Sequence, residues 1–356
     1  MKEKKFEIMD VSLRDGSYAI NFQFSINDEK NICTSLEKQG FRYIEIGHGM
    51  GVGASSLKNG LALHTDQEYL KCAQDHMKSA KYGMFCIPGV ASLEDIDLMA
   101  EYGCSFIRIG TNVESVSQSE EYIRHAKKHH MQVMANYMKS YAATPEEFSE
   151  AVKRSEAWGA DLIYIVDSAG NMMPEDIERY YEAIRSCSSK VKVGFHGHNN
   201  IGLALSNSLF AVELGVDFID CSLQGMGRSS GNTCLEHFVV CLQRKGYDIP
   251  VDIVSLLLDS KKYIYPFIKK GGINPIDTIC GVSGFHTSYL KEIQKCSLKH
   301  GVNPLLLIEA YSKEDKVNMD KNLLDKVAGQ LPHDEQSLTT VDFMDYFGAE
   351  QPYVSG

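Results

Sequence analysis

Gly194-Phe195-His196-Gly197-His198-Asn199-Asn200 ends an apolar run late in the chain, and its reading decides the fold. Residues two apart on a strand share a face, so His196 and His198 send both imidazoles the same way. The first apolar run ends in a complementary stretch, Asp10-Val11-Ser12-Leu13-Arg14-Asp15-Gly16. Asp15 follows the first strand, which becomes a neighbour of the last strand once a barrel closes. One carboxylate and two imidazoles then form an N/O ligand set for a divalent cation, with positions left for water and substrate. The absence of a thiolate points to Mn²⁺ or Mg²⁺, with Mn²⁺ the expected metal and Co²⁺ or Zn²⁺ compatible. Arg14 stands beside the carboxylate, where it can hold a negative charge. An isolated His-x-His is more often a pair of satisfied core histidines; the Arg-Asp-Gly after the first strand makes the difference.

Outward from these motifs, near-continuous apolar runs predict strands over 6–12, 43–47, 83–87, 106–110, 132–137, 162–167, 192–196 and 218–222. Such runs suit strands buried on both faces. Between them, apolar residues at i, i+3, i+4 spacing predict helices that complete eight strand–helix units, among them 28–39, 66–78, 117–129, 144–158, 174–187 and 204–214. Thr144-Pro145-Glu146-Glu147 reads as a helix start. Strand–helix units in this sequence predict an α/β fold, a closed (β/α)8 TIM barrel, with a doubly wound open sheet as the alternative. Beyond about residue 260 the alternation stops, and helices are expected over 288–300, 303–311, 316–329 and 341–346. The organisation expected is a catalytic barrel over 1–260 and a C-terminal helical extension over 261–356.

The 356 residues exceed a bare barrel and leave room for that appendage. A hydrophobic content of 44% and a charged content of 23% place the chain with ordinary globular proteins, where a core of this size needs no disulfides. The ten cysteines are scattered, form no CxxC and often sit inside apolar runs, as expected of reduced thiols in a cytoplasmic protein. The first residues lead straight into a strand without an apolar signal region, and no stretch approaches the ~20 apolar residues of a membrane span. A net charge of −11 with interleaved signs argues against a nucleic-acid or membrane surface as partner.

These motifs, together with Glu45 at the end of the second strand and Gly225-x-Gly227 through Gly231-Asn232 after the eighth, resemble the DRE-TIM metallolyase superfamily. More narrowly the chain resembles the 4-hydroxy-2-oxovalerate aldolases, through Glu45-Ile-Gly-His48-Gly49, Ser55-Ser56, His64-Thr65-Asp66-x-Glu68-Tyr69, Asp167-Ser168-Ala-Gly170 and Gly225-Met226-Gly227. The resemblance spans the barrel and weakens into the C-terminal helices. It implies a pyruvate aldolase in which Asp15, His196 and His198 hold the metal and the metal chelates the keto acid. It implies further that Arg14 neutralises the enolate oxygen, that Glu45 orients Arg14, and that Ser168 lies near the pyruvate carboxylate. Asn232 is read as a donor beside the site or a further ligand, and otherwise as a turn residue. The substrates implied are a 2-keto acid and an aldehyde. In the related aldolases the C-terminal helices contact an acylating aldehyde dehydrogenase, and a homodimer is the expected assembly.

The pattern departs from these aldolases at two places. Four residues after the arginine they carry a His that handles the C4-hydroxyl proton; here that position is Tyr18, whose phenol is a poor base near neutrality. In Gly284-Phe285-His286-Thr287-Ser288-Tyr289-Leu290-Lys291, His286 stands where they carry a Tyr. The expectation is an exchange of roles, with His286 as acid/base and Tyr18 orienting the aldehyde or hydroxyl. The same stretch is similar to the Gly-x-His…Leu-Lys segment of the Claisen-condensing branch, so an acyl-CoA/2-keto acid synthase is a second reading. A barrel retained only as a binding partner is a third, and a two-His-one-carboxylate iron oxygenase fits the ligands but not the barrel. His48-Gly49-Met50-Gly51-Val52-Gly53 lacks the Lys-Ser/Thr of a P-loop and reads as a loop over the barrel mouth, with His48 a candidate substrate contact. His125, His129 and His130 are expected on an outer, solvated helix.

Overall fold

A computed structural model describes residues 5–268, 275–334 and 343. Its centre is a closed parallel barrel whose strands follow one another in chain order. The strands are β1 Glu7–Asp10, β2 Tyr43–Ile46, β3 Lys81–Cys86, β4 Phe106–Asn112, β5 Gln132–Met138, β6 Leu162–Asp167, β7 Lys192–Gly197 and β8 Phe218–Cys221. β1 pairs with β8 from Glu7 against Phe218 to Asp10 against Cys221, which closes the ring. The predicted strands are all present, with ends shifted by at most two residues.

The helices α1 Ile26–Lys38, α2 Asp66–His76, α3 Leu93–Glu101, α4 Glu120–Lys128, α5 Pro145–Trp158, α6 Pro174–Cys187, α7 Ala204–Leu214 and α8 Leu235–Arg244 alternate with the strands. Thr144 caps α5, its hydroxyl accepting from the Glu147 N–H while the Glu147 carboxylate accepts from the Thr144 N–H. The single helix expected over 117–129 is instead a 3₁₀ stretch, Val113–Ser119, followed by α4. α3 and α8 complete the eight strand–helix units, although no ranges were read for them. α9 Ile253–Tyr263 packs on α8 and α1.

Inward positions carry bulk low in the barrel and charge above it. Tyr43, Phe106, Leu162 and Phe218 belong to a buried cluster inside the ring. Two residues further along the same strand faces come Glu45, Arg108, Tyr164 and Asp220. Gly194 leaves room for this layer: a Cβ there would lie 2.5 Å from the Tyr164 ring. A larger apolar cluster joins the outer strand faces to the helices.

The C-terminal extension comprises α10 Pro275–Ser283, α11 Leu290–His300, α12 Pro304–Ser312 and α13 Lys321–Ala328. It has its own core, including Phe285, Ile293, Leu307 and Tyr311. The helix expected over 341–346 lies outside the described residues, Phe343 apart. All ten cysteines are free thiols. Among the described residues no helix is long and apolar enough to cross a membrane.

Candidate functional site

His196 ends the inward face of β7 and His198 lies just past it, so both rings reach the C-terminal mouth of the barrel. Asp15 begins a 3₁₀ turn, Asp15–Ile20, five residues past the end of β1. A ligand atom from each of Asp15, His196 and His198 lies within 4.8 Å of the others, and all three residues are buried.

The hydrogen bonds fit a cation at this point. Nδ1 of His196 donates to Oδ2 of Asp220 at 2.8 Å, and Nδ1 of His198 donates to the Gly231 carbonyl at 3.3 Å. The protons therefore sit on the far side of each ring, and the two Nε2 atoms meet 3.4 Å apart with lone pairs facing. Such a contact is repulsive unless a positive ion lies between. Burial and then the Arg228 charge push His198 well below the ordinary histidine range, which keeps it neutral and able to ligate. Burial alone would raise the Asp15 carboxyl, but the Arg14 charge foremost, with that of Arg228, holds it far below the usual carboxylate range.

A ring of alternating charge fixes these groups. Asp15 Oδ1 accepts from Arg14 Nη1 at 2.7 Å, and Arg14 Nε donates to Glu45 Oε2 at 2.8 Å. The same Glu45 oxygen accepts from Arg108 Nη1 at 2.7 Å, and Arg108 Nη2 donates to Asp220 Oδ2 at 2.5 Å. Asp220 returns the circuit to His196. Arg108 also lies 4.3 Å over the Tyr164 ring. Glu45 thus bridges two guanidinium groups rather than orienting Arg14 alone.

Asn232 Nδ2 donates to Asp15 Oδ2 at 2.8 Å, while its buried Oδ1 has no hydrogen-bond partner. Buried polar groups are nearly always paired, so this oxygen is one that the surrounding protein does not satisfy. Gly227 permits the approach, because a Cβ there would lie 2.4 Å from Asn232 Nδ2 and 2.9 Å from Asp15. The Ser168 hydroxyl accepts from the Lys139 N–H at 2.9 Å and keeps its own proton to donate.

His286 is half-buried on the extension. Its Nδ1 accepts from the Ser288 N–H at 3.2 Å and lies 2.7 Å from the Ser288 hydroxyl. Burial, then the charges of Arg228, Lys139 and His198, hold it well below the ordinary histidine range, so it is neutral. Tyr18 packs edge-on to Phe22 and against Gly49. His48 stands apart from the expected substrate role. Its ring stacks on Phe22 at 3.8 Å, its Nδ1 accepts from the Met50 N–H, and its Nε2 donates to the Gly60 carbonyl. Both nitrogens are spent on the loop, and burial lowers the ring to about 4.

Arg108, Asp220, Lys139 and Arg228 were not among the residues expected at the site. For Arg108 and Asp220 the signal was present: a charged residue inside an apolar strand, in Phe106-Ile-Arg-Ile and Phe218-Ile-Asp-Cys, needs a buried partner.

A parallel eight-stranded barrel with two histidines and a carboxylate at its C-terminal mouth defines a class of barrel enzyme with a metal-competent centre. The chain belongs to the HMGL-like family, whose profile matches residues 5–264. It is 32% identical to the 4-hydroxy-2-oxovalerate aldolase of Pseudoalteromonas translucida over 330 residues, 92% of this chain and 96% of that one. It is 34% identical to an oxaloacetate decarboxylase of Mycobacterium tuberculosis over 307 residues, 86% of this chain and 90% of that one. Among solved structures it is similar to the N-terminal domain of a putative aldolase from Bacteroides vulgatus, with a TM-score of 0.68 and 25% identity over 79% of this chain and 94% of that one.

Proposed function

We propose that the protein is a divalent-metal-dependent pyruvate aldolase that cleaves or forms a 4-hydroxy-2-keto acid. The observation carrying this reading is the facing pair of histidine Nε2 atoms beside Asp15, with Arg14 on the same carboxylate. A bound divalent cation, Mn²⁺ foremost, would be held by Asp15, His196 and His198, and would supply a fixed positive charge for the oxygens of the keto acid.

In cleavage the C4 hydroxyl loses its proton, the C3–C4 bond breaks, and its electron pair passes to the C2 oxygen as an enolate. The aldehyde leaves, and C3 takes up a proton to give pyruvate. Arg14, charged and locked by Glu45, stands ready for the enolate oxygen. The Ser168 hydroxyl has a hydrogen to give the keto-acid carboxylate. His286 is neutral and fits the proton acceptor for the C4 hydroxyl. That role needs the other tautomer of the ring, in which Nδ1 gives up the Ser288 N–H and donates to the Ser288 hydroxyl, leaving Nε2 as the base. Tyr18 orients the aldehyde end.

A second reading has one specific support. The Mycobacterium relative is named an oxaloacetate decarboxylase, and loss of CO₂ from oxaloacetate leaves the same pyruvate enolate. Incubating the Mn²⁺-loaded protein with pyruvate and a panel of aldehydes, and separately with oxaloacetate, tests both readings by product mass. New 4-hydroxy-2-keto acids support the aldolase. Pyruvate from oxaloacetate, with no aldol product from any aldehyde, favours the decarboxylase.

A further inference from the structure

Away from the barrel mouth, a second group of metal-ligating side chains lies on the outer wall, between α3 and α4. Ile96 and Met99 of α3 and Ile123 and Ala126 of α4 are buried, which fixes the inward face of each helix. Asp97, next to Ile96, and His125, next to Ala126, come out at the seam where the two helices pack. His129 follows His125 by four residues, the spacing that stacks side chains on one helical face. Both imidazoles converge on one carboxylate oxygen. Nε2 of His125 donates to Asp97 Oδ1 at 2.7 Å, and Nε2 of His129 donates to the same atom at 2.6 Å. The two ring centroids stand 5.2 Å apart, and a ligand atom from each of the three residues lies within 4.8 Å of the others. The side chains of His125, His129 and Asp97 are 19%, 32% and 51% exposed, so a dissolved ion can reach them and water can complete its shell.

The surroundings favour a cation. His129 is the C-terminal cap of α4, at the negative end of the helix dipole. Hydrogen bonds from His125 and then His129 hold the Asp97 carboxyl below the usual carboxylate range, so it is charged. Glu94, one turn earlier on α3, adds its negative field to Asp97 and His125. The basic side chains Arg124 and Lys127 of α4 are spent on Glu120 and Asp161. Cys296, His300 and Asp325 in the extension also cluster, but there Lys299 donates to Asp325 at 2.6 Å and sets a positive charge where an ion would sit.

We propose that Asp97, His125 and His129 form a second metal site, for a borderline-soft dication of the Zn²⁺ class, that clips α3 to α4 on the outside of the barrel. Two imidazoles and one carboxylate suit Zn²⁺, whereas Mg²⁺ and Ca²⁺ favour sets made of oxygen. Each Nε2 lone pair turns to the ion once its ring carries the proton on Nδ1 instead. The site is independent of what the barrel mouth catalyses. The test dialyses the full-length, metal-free protein against free Zn²⁺ buffered at about 10 µM, enough to fill a micromolar site. The parent should retain one more Zn²⁺ per chain than His125→Ala or His129→Ala, and Cys296→Ser should retain as many as the parent. Asp97→Asn, which keeps the side-chain shape, should lose the same ion and carries the test if a histidine variant does not fold. Amide hydrogen exchange in α3 and α4 should slow on adding Zn²⁺ to the parent but not to His129→Ala. Equal Zn²⁺ content in the parent and these Asp97, His125 and His129 variants would overturn the site. Exchange in α3 and α4 that ignores Zn²⁺ would overturn the clip.

Discussion

Glu45 accepts from two guanidinium groups through one oxygen and is wholly buried. Glu45→Gln keeps the shape but leaves Arg14 and Arg108 short of a counter-charge. The expected cost is about 3–5 kcal/mol in urea unfolding, with a large fall in turnover as Arg14 loses its anchor. Asp220 acts one step from the centre, because it receives the His196 Nδ1 proton. Asp220→Asn weakens the hold on that tautomer, and Mn²⁺ affinity by titration should fall about 10–100-fold. Glu29 makes a separate point about stability. It is 1% exposed, neither carboxylate oxygen has a hydrogen-bond partner, and burial raises its pKa well above the usual value. The folded protein therefore keeps a proton that the unfolded chain gives up above about pH 4.3. This site costs stability as pH rises from there toward the raised folded pKa. Glu29→Gln should be more stable than the parent at pH 7, the gain shrinking to nothing below pH 4 in denaturant titrations.

At the scale of elements, the barrel was legible because its strands are apolar on both faces and its helices keep a regular stripe. Phe106 and Phe218 read as core, and they are core. The strand–helix rhythm holds at α3 and α8 as well, where Leu93–Glu101 and Leu235–Arg244 complete the eight units. The metal-competent cluster could be read because period-two spacing fixes His196 and His198 on one face. Lys139 and Arg228 could not be read in this way. Each lies in a loop, and its place depends on how the extension folds back, which no local pattern encodes. Likewise, only the structure shows that His48 spends both nitrogens on Gly60 and Met50. The strand parity gives its own test. Gly194→Ala puts a methyl into the Tyr164 ring beneath Arg108. Destabilisation of about 1–3 kcal/mol is expected from thermal or urea unfolding, from overpacking rather than lost charge.

For the whole molecule, the barrel mouth and the extension make one site. Thr287 and Tyr289 come from the extension, Asp15, His196 and His198 from the barrel, and Arg228 and Lys139 tie the two together. The central claim is that these parts hold a dication which, with Arg14, stabilises a pyruvate enolate. Deuterium uptake at the methyl group of pyruvate alone, followed by proton NMR in D₂O, tests it most directly, since enolisation needs no aldehyde. Uptake is expected with Mn²⁺, with loss on chelation, recovery on adding Mn²⁺ back, and little uptake by His198→Ala under the same conditions. Undiminished uptake by the chelated protein or by His198→Ala, or none by the Mn²⁺-loaded parent, would contradict it.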